Sequence, residues 1–558
     1  MAIQAALTKA YAHSTISLSV FLASVLTYSF YRTWLYPYHL DPLSRLPGPR
    51  PSRIPLLGNM LDLTRKKPMM MLYDWAMKYP GSLFRYYWFS RLTLLTSDPI
   101  TVGYVLGQAN DNWLKSKGTE KQFRQNLGES LLSMVGTTHT VHRRYLGQAF
   151  KHAYLKSMTR SFQGVAIDLV AAWENNTNEI QEVEDEGYTM IDLETWFYCL
   201  TLDSIGHFAM GQGFDAIHSP IGRDFDNYKI ILESFQVTPL SLLPFSDWIP
   251  TKANRRVWKA IREFNTMVDE LIQTRKHKLM EELEKNGGQF STESGEDVAS
   301  QKKDMLTMLL VDQLQGGGLD DVQMRHDIFT AIFAGHETTS AGLSWTFYQL
   351  ARCPDIQQRL RTEVRQMFDA CDGSPSFEQI NNLPYLNAVL NLRVSVHDDW
   401  LPRGNGQDPL FVPAGTNLHL PMFILHRDHK IWGTDALRFR PDRWLPRSSS
   451  PSGGEKDNRP SPPACPPVIP PNGLCYFPFY HGKRVCIGNK MATLEMKVHI
   501  AQLVNRFEMV LGPELRGRPR KDGHDEEYGE DEDEKLDWRW SVSLKPSPSI
   551  KVGIRLAK

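Results

Sequence analysis

One stretch constrains this chain more than any other: Phe479-Tyr-His-Gly482-Lys-Arg484-Val-Cys486-Ile-Gly488. An aromatic, two glycines, an arginine and a cysteine at these spacings arise by accident in such a chain on the order of once in ten thousand. The residue types suit a loop that presents a thiolate. Gly482 and Gly488 permit the tight or left-handed backbone that turns N–H groups inward, toward an anionic sulfur. Phe479 can shield that sulfur from water. A small buried cysteine in a Gly-rich turn is the blander alternative, and Cys475, which lacks the pattern, is read that way.

A second block breaks local rules. Ala334-Gly335-His336-Glu337-Thr338-Thr339 sits inside Ile328–Leu350, whose apolar spacing predicts a buried helix. A glycine, an acid and two threonines oppose such a helix, and broken local rules often mark a functional site. A kink with satisfied side chains is the competing reading.

Together the two blocks resemble the cytochrome P450 family, whose haem-binding signature is F-x-x-G-x-R-x-C-x-G and whose oxygen-activation motif is A-G-x-(D/E)-T-T. The resemblance implies a mainly α fold with a small β region. It implies haem b with Cys486 as axial thiolate ligand, which favours O–O cleavage. Phe479, Gly482 and Gly488 would shape the loop, and Arg484 would pair with a haem propionate. In the helix, Ala334 and Gly335 would leave room for dioxygen. Thr338 would open the helix ladder and hydrogen-bond at the site of oxygen activation, while Glu337 relays protons from solvent. His336 takes the variable position and is read as structural, not as an iron ligand.

Three further segments bear on the resemblance. Gly136-Thr-Thr-His139-Thr-Val-His142-Arg143-Arg144 resembles the propionate-binding helix, with His139 in place of the usual Trp and Arg143 retained; both donate to carboxylates. Phe439-Arg-Pro-Asp-Arg443-Trp444 matches the F-x-P-x-R-W segment of the family. The third segment is damaged. A Glu-x-x-Arg helix normally pairs with the later Arg, here Arg443, yet no Glu-x-x-Arg occurs in the 558 residues. The run Tyr385–Asp399 joins the start of that helix to the strand after it, whose Arg393 would meet a propionate. Roughly ten to fourteen residues are missing near position 391. Arg443 would then lack its carboxylate in a buried network, at about 3–5 kcal/mol. The downstream register is intact, which favours a mis-called intron or splice variant over random decay; a true inactive paralogue is the third reading.

The N-terminus adds a membrane expectation. No Asp, Glu, Lys or Arg occurs from Ala10 to Tyr31, about the length that crosses a bilayer. Aromatic residues from Tyr28 to Tyr38 and basic residues beyond favour an anchor over a cleaved signal peptide. The expected organisation is a lumenal N-terminus at 1–14, a transmembrane anchor at 15–36 and a proline-rich hinge at 37–58. A haem-thiolate domain at 59–558 follows, with polar insertions near 283–303, 448–471 and 517–535. The body would face the cytosol from the endoplasmic reticulum membrane. Within Leu232–Trp258, apolar residues among three prolines read either as core or as a membrane-dipping access segment.

Equal numbers of basic and acidic residues (63 each) give no reason to expect nucleic acid. Six cysteines without paired spacing fit a reducing compartment. No G-x-G-x-x-G opens a nicotinamide or flavin domain. Electrons would therefore come from an NADPH-cytochrome reductase docking on a basic surface that includes Lys483, Arg484 and Lys490. The implied reaction inserts one oxygen atom of O2 into a lipophilic substrate. The loop at 399–411 is similar to that of fungal relatives acting on fatty acids or secondary-metabolite intermediates. A haem-thiolate isomerase or dehydratase, and an inactive homologue, are the alternatives.

Overall fold

The structure, a computed structural model, describes residues 17–52, 54, 57–65, 68–79, 83–115, 117–179, 187–219, 223–235, 248–285, 304–371, 373–389, 410, 412, 416–433, 436, 438–445, 475–515, 537–540, 544–547 and 549–557. Helix α1 (17–30) runs into a wider π-type helix at Tyr31–Leu40. Beyond it come α2 (Pro68–Lys78), strands β1 (Leu83–Trp88) and β2 (Arg91–Thr96), and α3 (Pro99–Leu106). The middle of the chain holds α4 (Lys117–Leu127), α5 (Gly136–Leu146), α6 (His152–Glu179), strand β3 (Thr189–Asp192), α7 (Leu193–Met210) and α8 (Arg223–Glu233). Then follow α9 (Lys252–Lys285), α10 (Met305–Leu314), α11 (Asp321–Arg352), α12 (Pro354–Asp369) and α13 (Pro384–Val389). Strand β4 (Asn417–His419) and helix α14 (Asn489–Arg506) lead to β5 (Phe507–Leu511), β6 (Asp537–Trp540), β7 (Leu544–Ser547) and β8 (Lys551–Leu556). The architecture is mainly helical with small sheets, as expected.

Aspartates start four of these helices. Asp98, Asp192, Asp304 and Asp320 each accept a hydrogen bond from a backbone N–H three residues on, at the heads of α3, α7, α10 and α11. Each satisfies an amide that the first turn leaves without a helical partner. Gly211 ends α7 in the left-handed conformation, φ 76°, which costs a glycine nothing.

The chain divides into two compact units. In the first, β1 pairs antiparallel with β2 (Leu83 opposite Thr96), and β2 pairs parallel with β4 (Thr93 opposite Asn417). The proline-rich hinge is docked on this sheet. Arg85 N–H donates to the Pro47 carbonyl (2.9 Å), Tyr87 N–H donates to the buried Asn59 side chain (2.9 Å), and the Tyr87 hydroxyl donates to the Pro37 carbonyl (3.0 Å). The hinge is thus a pinned strap, because each proline that gives up a donor leaves a carbonyl for the sheet to use.

The second unit carries the helical core. Helix α11 packs along α7 and α14 along α6. Aromatic pairs bind the layers, with Phe197 and Phe347 centroids 4.9 Å apart and Trp173 and Phe507 5.4 Å apart. Each such buried side chain contributes about 1.5–3 kcal/mol. Buried Arg361 of α12 donates to the carbonyls of Val504 (3.0 Å) and Phe507 (2.9 Å), holding the α14–β5 corner. An antiparallel sheet in the order β3-β8-β5 and the β6–β7 hairpin complete the unit.

The expected anchor at 15–36 is not supported by the described residues. Among the described residues no helix is long and apolar enough to cross a membrane. Regular α-helix ends at Phe30, and Ser17, Ser19, Ser24, Thr27 and Ser29 dilute its apolar residues. Leu18, Phe21, Leu26 and Phe30 nevertheless stand exposed. Arg393, the join near 391 and the insertions at 448–471 and 517–535 lie outside the described residues. So do residues 286–303 of the third insertion and 236–247 of the access segment.

Candidate functional site

The cysteine-loop half that belongs to the first unit is a tight turn. Gly482–Arg484 form one turn of 3-10 helix, with Val485 N–H donating to the Gly482 carbonyl (3.1 Å). Gly482 has φ +67°, and a Cβ there would run into the Leu106 carbonyl oxygen at the end of α3. The position needs glycine on both counts. Tyr480, before it, also takes a positive φ of 69°. Lys483 is exposed and forms an ion pair with Asp111, while Arg484 is half-buried and engaged. Phe479 lies in the same turn and is half-buried.

In the second unit Cys486 and Gly488 lead into α14. Cys486 is exposed and in no disulfide. A Cβ on Gly488 would lie 4.0 Å from the Cys486 sulfur and 3.6 Å from Phe150, so glycine keeps that flank of the sulfur clear. Facing this element within the same unit is Arg143 of α5. Burial pulls its pKa below the usual arginine value, and the nearby Cys486 thiolate pushes it back up. That mutual influence places the guanidinium within electrostatic reach of the sulfur. His139, one turn earlier on α5, is buried beside it on the helix.

Helix α11 runs unbroken through the oxygen motif, so the expected opening of its ladder is not found. Instead the Thr338 hydroxyl donates to the Ala334 carbonyl one turn back (2.7 Å), a bond the helix accommodates without breaking. Ala334 and Thr338 share one face, and both are half-buried, as are Ala331 and Gly335. Glu337 is 1 % exposed. Its neighbours are Tyr198 of α7 and Tyr228 of α8. Burial first, and then the Glu337 charge, pushes the Tyr198 hydroxyl pKa well above its ordinary value. Burial, Tyr198 and Glu337 do the same to Tyr228.

Gly335 sits where α11 approaches α7. A Cβ there would lie 2.6 Å from Ile205 Cδ1 of α7 and 3.7 Å from Met491. The glycine lets α7 and α11 approach. His336 is structural, as read: its Nδ1 lies 3.1 Å from the Tyr228 hydroxyl, and Tyr198 packs edge-on at 4.1 Å.

Around the damaged segment, α13 survives as a short helix held by what remains. The Glu363 carboxylate of α12 accepts from Tyr385 N–H (2.8 Å) and Leu386 N–H (2.9 Å). Arg359 lies over the Tyr385 ring (4.2 Å) and pairs with Asp442 (2.7 Å) in the F-x-P-x-R-W turn. Arg443 is half-buried rather than buried and is not left free, so the full penalty of a buried lone charge does not apply.

A family model described as Cytochrome P450 matches residues 47–524. The chain belongs to the cytochrome P450 family. Similar proteins include Cytochrome P450 monooxygenase 205 of Postia placenta, 28% identical over 504 residues, covering 84% of this chain and 87% of that one. Cytochrome P450 monooxygenase FUM15 of Gibberella moniliformis is 28% identical over 545 residues, covering 88% and 87%. Cytochrome P450 72A13 of Arabidopsis thaliana is 26% identical, covering 89% and 94%. The chain is therefore a haem-thiolate monooxygenase of the cytochrome P450 family, in which a cysteine thiolate is the axial iron ligand. The residues present fit that group: an exposed cysteine flanked by glycine, and a half-buried arginine that feels its thiolate.

One feature carried no sequence signal. His142 of α5 and Asp327 of α11 form a buried pair, Nε2 to Oδ2 2.5 Å. Either residue alone reads as ordinary, and only the fold brings them together.

Proposed function

We propose that this cytochrome P450 uses Cys486 as its axial ligand and oxygenates a lipophilic substrate at the α11 face carrying Ala334 and Thr338. Bound haem supplies oxygen binding and O–O cleavage. His139 and Arg143 would donate hydrogen bonds to a propionate. Thr338 holds its hydroxyl proton on the Ala334 carbonyl, so its oxygen accepts a hydrogen bond and gives up the proton only by leaving that carbonyl. Glu337, buried beside two tyrosine hydroxyls, would hand on a proton. Arg393 and Arg484 would serve other propionate oxygens, and Phe479 would shield the sulfur. The observation that carries the reading is the free, exposed Cys486 sulfur with Gly488 on its flank, just ahead of α14.

Electrons would come from an NADPH-dependent reductase, with exposed Lys483 and Lys490 offering positive charge. The exposed apolar side chains of α1 support attachment to the endoplasmic reticulum membrane, with the catalytic body in the cytosol. Fatty-acid-like molecules or secondary-metabolite intermediates are the substrate class. The test is NADPH consumption and product formation with added reductase and a panel of fatty acids and terpenoids. Reductase-dependent oxygenated product supports the reading, and turnover without NADPH would support an isomerase or dehydratase instead. The absence of any Glu-x-x-Arg favours one second reading, an inactive or mis-spliced homologue. Transcripts carrying that motif between the codons for Leu386 and Asp398 would decide for mis-splicing.

A further inference from the structure

We propose that His142 is a positioning residue that, through its bond to Asp327, holds Arg143 in place to meet a haem propionate. The inference rests on the haem-thiolate reading of Cys486 and Arg143. His142 is 5 % exposed and Asp327 1 % exposed, and the pair joins α5 to α11 across 185 residues of chain. A histidine–carboxylate bond of this kind is stronger than one between neutral partners.

The grip on α5 has more than one finger. Gln323, one turn before Asp327 on α11, lies 3.5 Å from His142 Nε2 and donates to the Glu129 carbonyl just ahead of α5. The Leu131 amide also favours the charged form of the Asp327 carboxylate. Helix α11 therefore holds both the approach to α5 and the helix itself. Helix α5 is only 11 residues long, starts at Gly136 and has no side-chain cap. Such a helix has little stability of its own, and its orientation comes from its contacts.

Arg143 follows His142 directly, about 100° further round the helix. Fixing His142 thus fixes the rotation of α5 and the direction in which Arg143 leaves it. A rotation of about 20° would move a side-chain head at a radius of about 6 Å by about 2 Å, enough to break a hydrogen bond. The oxygen helix α11 and Arg143 are coupled in this way through the buried pair, with Gln323 as a second contact.

The test measures haem transfer to excess apomyoglobin from the wild type, His142→Leu, Arg143→Gln and the double variant, with His142→Gln as rescue. Hydrogen exchange over 136–146 is followed in the haem-free proteins. Positioning through Arg143 requires His142→Leu to speed haem loss about tenfold and the double variant to lose haem no faster than Arg143→Gln alone. His142→Gln, which keeps a donor for Asp327, should recover most of the loss, and exchange over 136–146 should rise in His142→Leu. If His142→Leu fails to fold, Asp327→Asn reads the same bond. Additive losses, about a hundredfold in the double variant, or a wild-type rate in His142→Leu, would overturn the proposal alone. A wild type that takes up no haem would overturn the haem reading and the proposal together.

Discussion

Gly335 lets α7 and α11 pack closely, because a Cβ there would lie 2.6 Å from Ile205 Cδ1. Gly335→Ala should destabilise the protein by about 1–3 kcal/mol through overpacking, read by urea unfolding. Ile205→Val, which removes the clashing methyl, should return most of it; a Gly335→Ala variant as stable as wild type would show that α7 and α11 separate freely. Cys486, Glu337 and Thr338 stand out in the sequence because their chemistry is written in a local pattern. Residues whose purpose lies across the fold do not. His142 and Asp327 each carry an ordinary polar side chain on a helix, and no spacing rule links positions so far apart.

At the scale of elements, the helices were the most legible part. Apolar spacing predicted a helix over Ile328–Leu350, inside the observed Asp321–Arg352. The hinge was half legible: prolines forecast a stiff spacer, but its bonds to β1 depend on a strand further along the chain. Helix α13 offers a test, because its first amides rest on Glu363. Glu363→Ala should cost about 1–2 kcal/mol, the value of a lost cap and a favourable helix-end charge. Thermal unfolding would show it, and an unchanged midpoint would mean that the helix is held by packing alone.

Helix α14 offers a pH test. Burial pushes the Glu495 carboxyl well above the ordinary range, and both its oxygens lack a hydrogen-bond partner among the described residues. A raised pKa in the folded state means that the native protein holds this proton more tightly than the unfolded chain. Its contribution is complete below the unfolded value of about 4.3 and is lost as pH rises toward the folded value. Glu495→Gln should therefore match wild type near pH 4 and exceed it near pH 8, by about 1–3 kcal/mol. Equal stability at both pH values would show that Glu495 has a compensating partner.

At the scale of the whole molecule, the family and the mainly helical fold followed from two short motifs. The anchor is not supported by the described residues, where no helix is long and apolar enough to cross a membrane. The missing Glu-x-x-Arg segment is the largest departure from the family. Inserting a Glu-x-x-Arg helix turn between Asn391 and Leu392 should raise haem occupancy several-fold, measured as Soret absorbance per protein. An unchanged occupancy would mean that Arg359, Glu363 and Asp442 already replace what the missing segment provides. The most direct test of Cys486 as the iron ligand is the carbon monoxide difference spectrum of the dithionite-reduced protein, expressed from this sequence beside Cys486→Ser. The expected result is a red-shifted Soret band in the wild type that is absent from Cys486→Ser. A blue-shifted band or none in the wild type, or a red-shifted band that survives in Cys486→Ser, would contradict it.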